Sequence, residues 1–514
     1  MTLVGPSAQR PRWNKSGWTL LVAVCAMLLL LDRWSVLEHF AFRYTDDDQT
    51  IMWYGAEEMA QGRFHEPRFY GQSYNTMLEG LLAVPLLWAG SAHSYALPVV
   101  ATLLAVLPYL LFAALACRKG RVVQAALVLL VPIALPVEFG LVSSMPRGFV
   151  PGVALTAVGL LALFSEGLLL IGPCAFLAIL GIVVNPNAAV LLVPALVLFL
   201  FRVRHDRRAW TAAVVGSIPA LLLQVGAKRF YADRPEHVVH QDWPLDFEFQ
   251  RITLQAMDRS LGEVTPLFWG HGAFLVLVLV ASAAWCWIRG HRGASLFLCT
   301  GVILIIASLG VNKVNDGMPT VFYSWSRMFI AVPVVLAAAI ALVPDLWPRW
   351  SVLPISVAAA VLFSIKVALL PSVVDREVDP AREKNLHVMR LTDLMQRCAH
   401  VDQVARQANA DLIVQGWLPT KHMMNYGCPC LITGFPETVQ PELDRRTWKL
   451  RELQPRMIDR ILLDGFDADA FAGRLTGRIR VTEVSTDASL LLITGPPLPT
   501  GALLDSLGLG MRRF

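Results

Sequence analysis

The chain is divided into apolar runs of about 17–24 residues, the length that spans a bilayer core, separated by short basic or polar stretches. Of its 514 residues 55% are hydrophobic and only 16% are charged, against roughly a quarter charged in a typical soluble domain. Mean hydropathy is +0.53. These values exclude a disordered chain and argue against an ordinary cytosolic enzyme. The length alone would suit about three soluble domains, but the apolar residues are not distributed over three cores. The reading is a polytopic α-helical membrane protein. Net charge is +5, and the basic residues cluster between apolar runs, so the charge speaks to membrane orientation and not to nucleic acid.

The first run, 17–31, follows Arg10, Arg12 and Lys15 and precedes a polar stretch with no small-residue cleavage site. It reads as a retained first helix with a cytoplasmic N-terminus. Further crossings are expected at about 95–116, 122–139, 148–165, 168–184, 188–201, 209–226, 271–288, 294–311, 328–345 and 351–370. Segment 76–90 is short and carries Glu79 and Pro85. If it does not cross, then Arg118/Lys119/Arg121, Arg202/Arg204/Arg207/Arg208, Arg289/Arg292 and Arg349 all fall on one side. It is therefore taken as an interfacial or re-entrant helix. That leaves eleven crossings.

An odd count puts residues 372–514 outside, in the periplasm of a bacterial-type cell. The expected division is a transmembrane domain over 1–371, with an outer loop at 39–94, and a soluble α/β domain over 372–514. Within the tail, 411–416 and 458–464 read as strands, and 383–408 and 467–475 as helices.

The outer loop opens with Tyr44-Thr45-Asp46-Asp47-Asp48-Gln49-Thr50. Three consecutive carboxylates at a membrane surface repel one another. Thr45 or Asp46 can N-cap a helix from about Gln49 to Gly62, whose N-terminus favours negative charge. One reading is a solvated acidic cap. The other is a catalytic carboxylate at the mouth of a membrane cavity, in a set that titrates together with one member raised.

This arrangement resembles the GT-C glycosyltransferases, multispanning enzymes that use lipid-linked sugars, and is most similar to the lipid A aminoarabinose transferases and the protein O-mannosyltransferases. The likeness rests on the acidic residues after the first helix, the Glu58-Met59-Ala60-Gln61-Gly62 stretch and a second amphipathic segment, Tyr70 to Glu79. It covers residues 17–345 in layout and 44–90 in motif. It implies a polyprenyl-phosphate-linked sugar donor, a glycan, lipid or protein acceptor, and no cofactor. The family's second acidic position is Gln49 here, so the carried-over base is Asp48, with Asp47 in reserve. The basic residue that some relatives place before the second amphipathic helix is replaced by Ser73-Tyr74-Asn75, so phosphate contacts must come from elsewhere.

Arg147, in SSMPRGF, and Arg327, in FYSWSRMFIAVPVVL, both sit at outer helix boundaries. Each is read either as a snorkelling membrane anchor or as a bidentate ligand of a lipid phosphate. Tyr74, Tyr323 and Trp325 are read as cavity-lining residues or as interfacial belt aromatics. A polyprenyl phosphate leaves as a stable anion and needs cations, not a proton. The acceptor hydroxyl or amine needs a base. One carboxylate and one or two arginines therefore suffice, and direct displacement would invert the anomeric carbon.

His237 and His240 are spaced to share a helix face, but Pro235 and Pro244 interrupt the region, so no metal site is expected. Cys25, Cys117, Cys174, Cys286 and Cys299 lie in or beside apolar runs and read as fillers. Of the three tail cysteines, Cys428 and Cys430 are too close in sequence for an unstrained bridge. Either Cys398 pairs with one of them or all three are reduced. Two other functions compete with the transferase: a transporter or flippase of a lipid-linked saccharide, and a non-catalytic scaffold. Transporters place ionisable groups near the midplane; here these are few, Lys366 among them, while acids cluster at the surface.

Overall fold

The structure is a computed structural model that describes residues 15–164, 167–240, 246–343, 352–383, 388–467, 480–483 and 490–510. Among the described residues each expected crossing overlaps helix. In chain order the first elements are α1 (Lys15–Val36), β1 (Tyr44–Asp46), α2 (Asp47–Ala60), β2 (Gly71–Gln72), α3 (Leu78–Trp88), α4 (His93–Arg118), α5 (Val122–Ala134), α6 (Val137–Ser144), α7 (Pro151–Gly159), α8 (Leu168–Val184), α9 (Ala189–Val203) and α10 (Arg207–Ala232). The strand β3 (Val238–His240) and the short helices α11 (Phe247–Gln255) and α12 (Met257–Leu261) precede a second apolar group. That group comprises α13 (Gly272–Ile288), α14 (Arg292–Ser308), the short α15 (Asn312–Asn315), α16 (Ala331–Leu342) and α17 (Val352–Glu383).

Six of these helices are long and apolar enough to cross a membrane, and α5 with α6 makes a seventh if the bent pair is one span. The helices at 151–163, 168–184, 272–288 and 292–308 are apolar but shorter. Segment 76–90 contains only the 11-residue α3, about 16 Å at 1.5 Å per residue, half a bilayer core.

Two expected segments differ in detail. The helix anticipated over 122–139 stops at Ala134, and α6 leaves at 87°. The cause is Pro136, which holds Leu135 in extended backbone (ψ 155°) and ends the helix. The anticipated helix 383–408 is instead the end of α17, then β4 (Val388–Arg390), then α18 (Leu391–Gln407). β4 pairs antiparallel with β1, Tyr44 opposite Arg390 and Asp46 opposite Val388. The stretch following α1 and the stretch following α17 therefore share one end of the helical bundle. Helix α17 runs through residue 371, where the soluble part was expected to begin.

The tail adds β5 (Leu412–Gln415), α19 (Pro419–Leu431), β6 (Thr438–Val439), α20 (Thr447–Leu453), β7 (Met457–Asp464), β8 (Arg480–Glu483), β9 (Leu490–Pro499) and α21 (Thr500–Ser506). They form a five-stranded sheet, β6-β5-β7-β9-β8, parallel at β6-β5-β7 and antiparallel beyond. The two expected strands are β5 and β7; β5 is buried along its length, and β7 carries Asp459 and Arg460 ahead of its buried end, Ile461 to Asp464. The helix anticipated at 467–475 lies, apart from Asp467, outside the described residues. Helix α18 is joined to α19 by a Cys398–Cys428 disulfide with a Cα–Cα distance of 5.3 Å. Cys430 remains a thiol. Helix α19 packs directly on α2, where Tyr54 meets Tyr426 edge to face and Gly427 lies against Thr50. The sheet domain is thereby keyed to the acidic loop.

Candidate functional site

The acidic motif forms the junction between β1 and α2. Asp46 is extended (φ −133°, ψ 179°) and N-caps α2; its carboxylate accepts hydrogen bonds from Gln49 N and Gln49 Nε2, both at 2.9 Å. It is fully buried. Arg147 Nη2 lies 2.8 Å from its Oδ2. Burial pushes the Asp46 carboxyl up to about 6, and the neighbouring Asp47 and Asp48 charges add to this, while Arg147 and the Gln49 N–H oppose it. The oxygens of this capping carboxylate are thus committed to Gln49 and Arg147. Asp47, the first residue of α2, is buried. Asp48 is the more open, with its side chain 15% exposed.

Arg147 is delivered by the turn that follows α6, and buried polar side chains hold that turn. Asn75 Nδ2 donates to Arg147 O at 2.6 Å, Gly148 N donates to Glu79 Oε2 at 2.6 Å, and Asn185 Nδ2 donates to Gly148 O at 3.0 Å. Gly148 has φ +79°, and a Cβ there would lie 2.1 Å from Asn75 Oδ1, so only glycine fits. The Arg147 guanidinium also donates to Phe322 O. Burial acts to lower its affinity for its proton, but Asp46, Asp48 and Asp47 together outweigh burial and raise it. Glu79, fully buried, is pushed up to about 8 by desolvation, against the pull of the Gly148 N–H.

Arg327 lies in the 3-10 turn Trp325–Phe329 and donates from Nη2 to Asp316 O at 2.6 Å. Its guanidinium stands 4.7 Å from the centre of the Tyr323 ring, and that of Arg147 stands 5.9 Å from the same centre. Both guanidiniums therefore stand within reach of the Tyr323 ring. Arg327 Nη1 is buried with no hydrogen-bond partner among the described residues. The Tyr323 phenol is raised first by the Asp48 charge and then by burial; the Tyr74 phenol is raised first by burial and then by Asp48. Lys313 Nζ sits 5.4 Å from the Tyr74 ring centre.

Six of the residues singled out from the sequence, Asp47, Asp48, Tyr74, Arg147, Tyr323 and Arg327, thus converge on one region. Sequence reasoning missed a seventh. Arg445, just before α20, places Nη1 3.5 Å from Asp48 Oδ1. It is anchored through its backbone N–H, which donates to the Tyr426 hydroxyl at 2.7 Å. Next to it Arg446 and Asp444 form a fully buried ion pair at 2.6 Å that holds the Asp444 carboxyl well below the usual range. The only local signal was the dipeptide Arg445-Arg446, which by itself reads as a surface charge pair.

Among the described residues no group of His, Cys, Asp and Glu is arranged to hold a metal ion. His237 faces Glu66 at 2.8 Å and Thr447 Oγ1 at 2.8 Å; the side chain of His240 lies outside the described residues.

Two solved structures of ArnT from Cupriavidus metallidurans superpose on the chain. The one bound to undecaprenyl phosphate is 14% identical, with a TM-score of 0.57, over 93% of this chain and 98% of that one. The apo form is 12% identical, with a TM-score of 0.56, at the same coverage. The chain has the ArnT fold. The observed architecture is the GT-C-like one that the acidic motif and helix layout led us to expect. At this identity the likeness is one of fold. No protein-family model and no curated protein matches the sequence.

Proposed function

We propose that the chain is an inverting GT-C glycosyltransferase. It moves a sugar from a polyprenyl-phosphate donor to a glycan, lipid or protein acceptor at the outer face of a bacterial inner membrane. The observation that carries this reading is the gathering of Arg147 and Arg327 at the Tyr323 ring, whose phenol also feels the Asp48 charge, in a fold shared with a protein crystallised with undecaprenyl phosphate. Two guanidiniums suit a phosphate that must leave as an anion, since preorganised cations stabilise the charge developing on it. Asp48 accepts the proton of the acceptor nucleophile. Asp47 is second choice because it is buried at the start of α2. Attack from the face opposite the phosphate inverts the anomeric carbon. Tyr74 and Tyr323 wall the sugar subsite.

Two observations support the orientation. Lys119 lies over the Phe164 ring and Arg202 donates to Leu163 O, so the basic turns at 118–121 and 202–208 meet at one end of the bundle, favouring the cytoplasm. The acidic loop and tail, joined by β1 and β4, occupy the other end. In this reading the helices up to α17 carry the membrane domain, and the following sheet domain supplies Arg445 to the site from the periplasm.

A transporter would use ionisable groups within the helices. Asp32, Arg33 and Lys366 are such a cluster, but they pair with one another, Lys366 Nζ at 3.0 Å from Asp32. Such closure suits a clamp between α1 and α17. The test is to mix purified protein in nanodiscs with a radiolabelled polyprenyl-phosphate sugar and membranes from a deletion strain. Transfer of label to an acceptor supports the transferase; movement of intact donor between leaflets without transfer would favour transport.

A further inference from the structure

The three parallel strands of the C-terminal sheet end in a row of polar side chains. Gln415, the last residue of β5, pairs in register with Asp464, the last of β7, and Gln440 directly follows the β6 residue that pairs with Val414. Strand alternation puts all three on the face beneath α19, where Ile413 and Leu462 pack with Met423 and Met424. The opening of α19 covers the two ends of the row: Lys421 Nζ pairs with Asp464, and His422 Nδ1 meets Gln440 Oε1. Gln440 Nε2 donates to Gly416 O at 2.5 Å, so its oxygen accepts from His422. The imidazole proton is therefore on Nδ1, and the Nε2 lone pair is left over. Burial, with the Arg445 charge, holds His422 below its ordinary value and so neutral, against the pull of Asp47. The middle of the row is unmet. Gln415 is 1% exposed, yet neither its amide oxygen nor its amide nitrogen has a hydrogen-bond partner among the described residues, and His422 Nε2 has none either. Native proteins seldom bury such atoms unpaired, and a bound molecule is one reason that they do.

The row stands where an α/β sheet takes its ligands. The chain leaves β5 through α19 toward β6, while β9 and β8 lie on the far side of β7, so the carboxyl ends of β5 and β7 flank the point where the connections part. Gly416 lets the two strand ends close up, since a Cβ on it would lie 2.6 Å from Gly465 O. The loop above carries Trp417, which is 45% exposed. The nearby charges are matched in pairs, Lys421 with Asp464 and Arg446 with Asp444. What the crevice offers is therefore neutral: an amide donor, an amide acceptor, an imidazole acceptor and an indole face. Hydroxyl groups both donate and accept, and the C–H face of a sugar ring stacks on indole. We propose that this crevice is a glycan-binding site for uncharged sugar residues, with Gln415 and His422 reading hydroxyls beside Trp417. It adjoins the candidate site, because the Asp47 and Arg445 charges both act on His422 and Arg445 stands 3.5 Å from Asp48. Resting on the transferase reading, the sugars held there belong to the acceptor, a neutral glycan whose free hydroxyl reaches Asp48.

Binding is measured without donor, so failure of the site and failure of the transferase reading are separate results. Full-length protein in nanodiscs, free of glycosidic detergent, is applied to an array of neutral, carboxylated and phosphorylated oligosaccharides, and the tightest ligand is titrated by calorimetry. A neutral oligosaccharide should bind saturably. Trp417→Ala, at an exposed position, should weaken that binding at least tenfold. Gln415→Leu should do the same with an unchanged or raised melting temperature, because it removes an amide that has no partner; a purely structural glutamine would instead lower the melting temperature and leave binding alone. Given a labelled polyprenyl-phosphate sugar, the bound oligosaccharide should take up label. Label passing only to a different acceptor would overturn the acceptor role, and label passing to none would count against the transferase reading alone. No saturable binding of neutral oligosaccharides, tighter binding of the phosphorylated ones, or neutral binding that both variants leave unchanged would overturn the proposal.

Discussion

Arg445 Nη1 stands 3.5 Å from Asp48 Oδ1, joining the C-terminal sheet domain to the loop after the first helix. The contact places a cation from the tail beside the residue proposed as base. Arg445→Gln should lower transfer by roughly 10–100-fold, about 1.4–2.7 kcal/mol of transition-state stabilisation. Because its backbone anchor to Tyr426 is kept, the melting temperature should change little. Kinetics and thermal unfolding on the same preparation check both halves.

Arg327→Lys keeps the charge and loses the planar fork. Donor affinity should fall by about 1–3 kcal/mol, the range for a charge-assisted hydrogen bond, with stability nearly intact. Arg147→Met should behave differently, since it strands the buried Asp46 carboxylate. Removing one partner of a buried pair costs about 3–5 kcal/mol, so this variant should lose stability as well as donor binding. Titration with undecaprenyl phosphate beside a melting curve separates the two effects.

Glu79 provides a pH prediction. Its carboxyl is raised from 4.5 to about 8 by burial, so between those values the folded state binds a proton that the unfolded state has released. Its contribution to stability is present below about pH 4.5 and is lost as pH rises through 8, at no more than about 1.4 kcal/mol per pH unit. Glu79→Gln mimics the protonated form. Melting curves from pH 5.5 to 8.5 should slope downward more steeply for the wild type than for this variant; parallel slopes would remove Glu79 as the cause.

The Cys398–Cys428 bridge closes a loop of sequence separation 30, for which chain entropy gives about 3–4 kcal/mol. Because α19 carries Cys428 and packs on α2, reduction should loosen the acidic loop as well as the tail. Non-reducing peptide mapping should recover Cys398 linked to Cys428, with Cys430 alkylated on denatured protein. Cys428→Ser should lower both melting temperature and activity.

The membrane layout was legible because hydropathy runs report burial in lipid directly. The bend after Ala134 was not anticipated, although Pro136 marks it, because a run of apolar residues hides a break between two helices. In the tail, β5 and β7 could be read from their apolar runs. β4 could not: Val388-Met389-Arg390 is a strand only because Tyr44–Asp46 offers it an edge, and tertiary context decides such short segments. The cap of α2 was legible as Thr45 or Asp46, and the structure selects Asp46. Its pairing with Arg147 was not, and neither was the role of Asn75, Glu79 and Asn185 in holding the Arg147 turn, since each contact joins distant parts of the chain. Arg445 was hidden for the same reason.

The central claim is that Asp48 is the base of a polyprenyl-phosphate-dependent transfer. The direct measurement is single-turnover transfer from a labelled polyprenyl-phosphate sugar by wild type and by Asp48→Asn, at matched donor occupancy. The account predicts a loss of about 10²–10⁴-fold with donor affinity retained. Transfer by Asp48→Asn at the wild-type rate would contradict it.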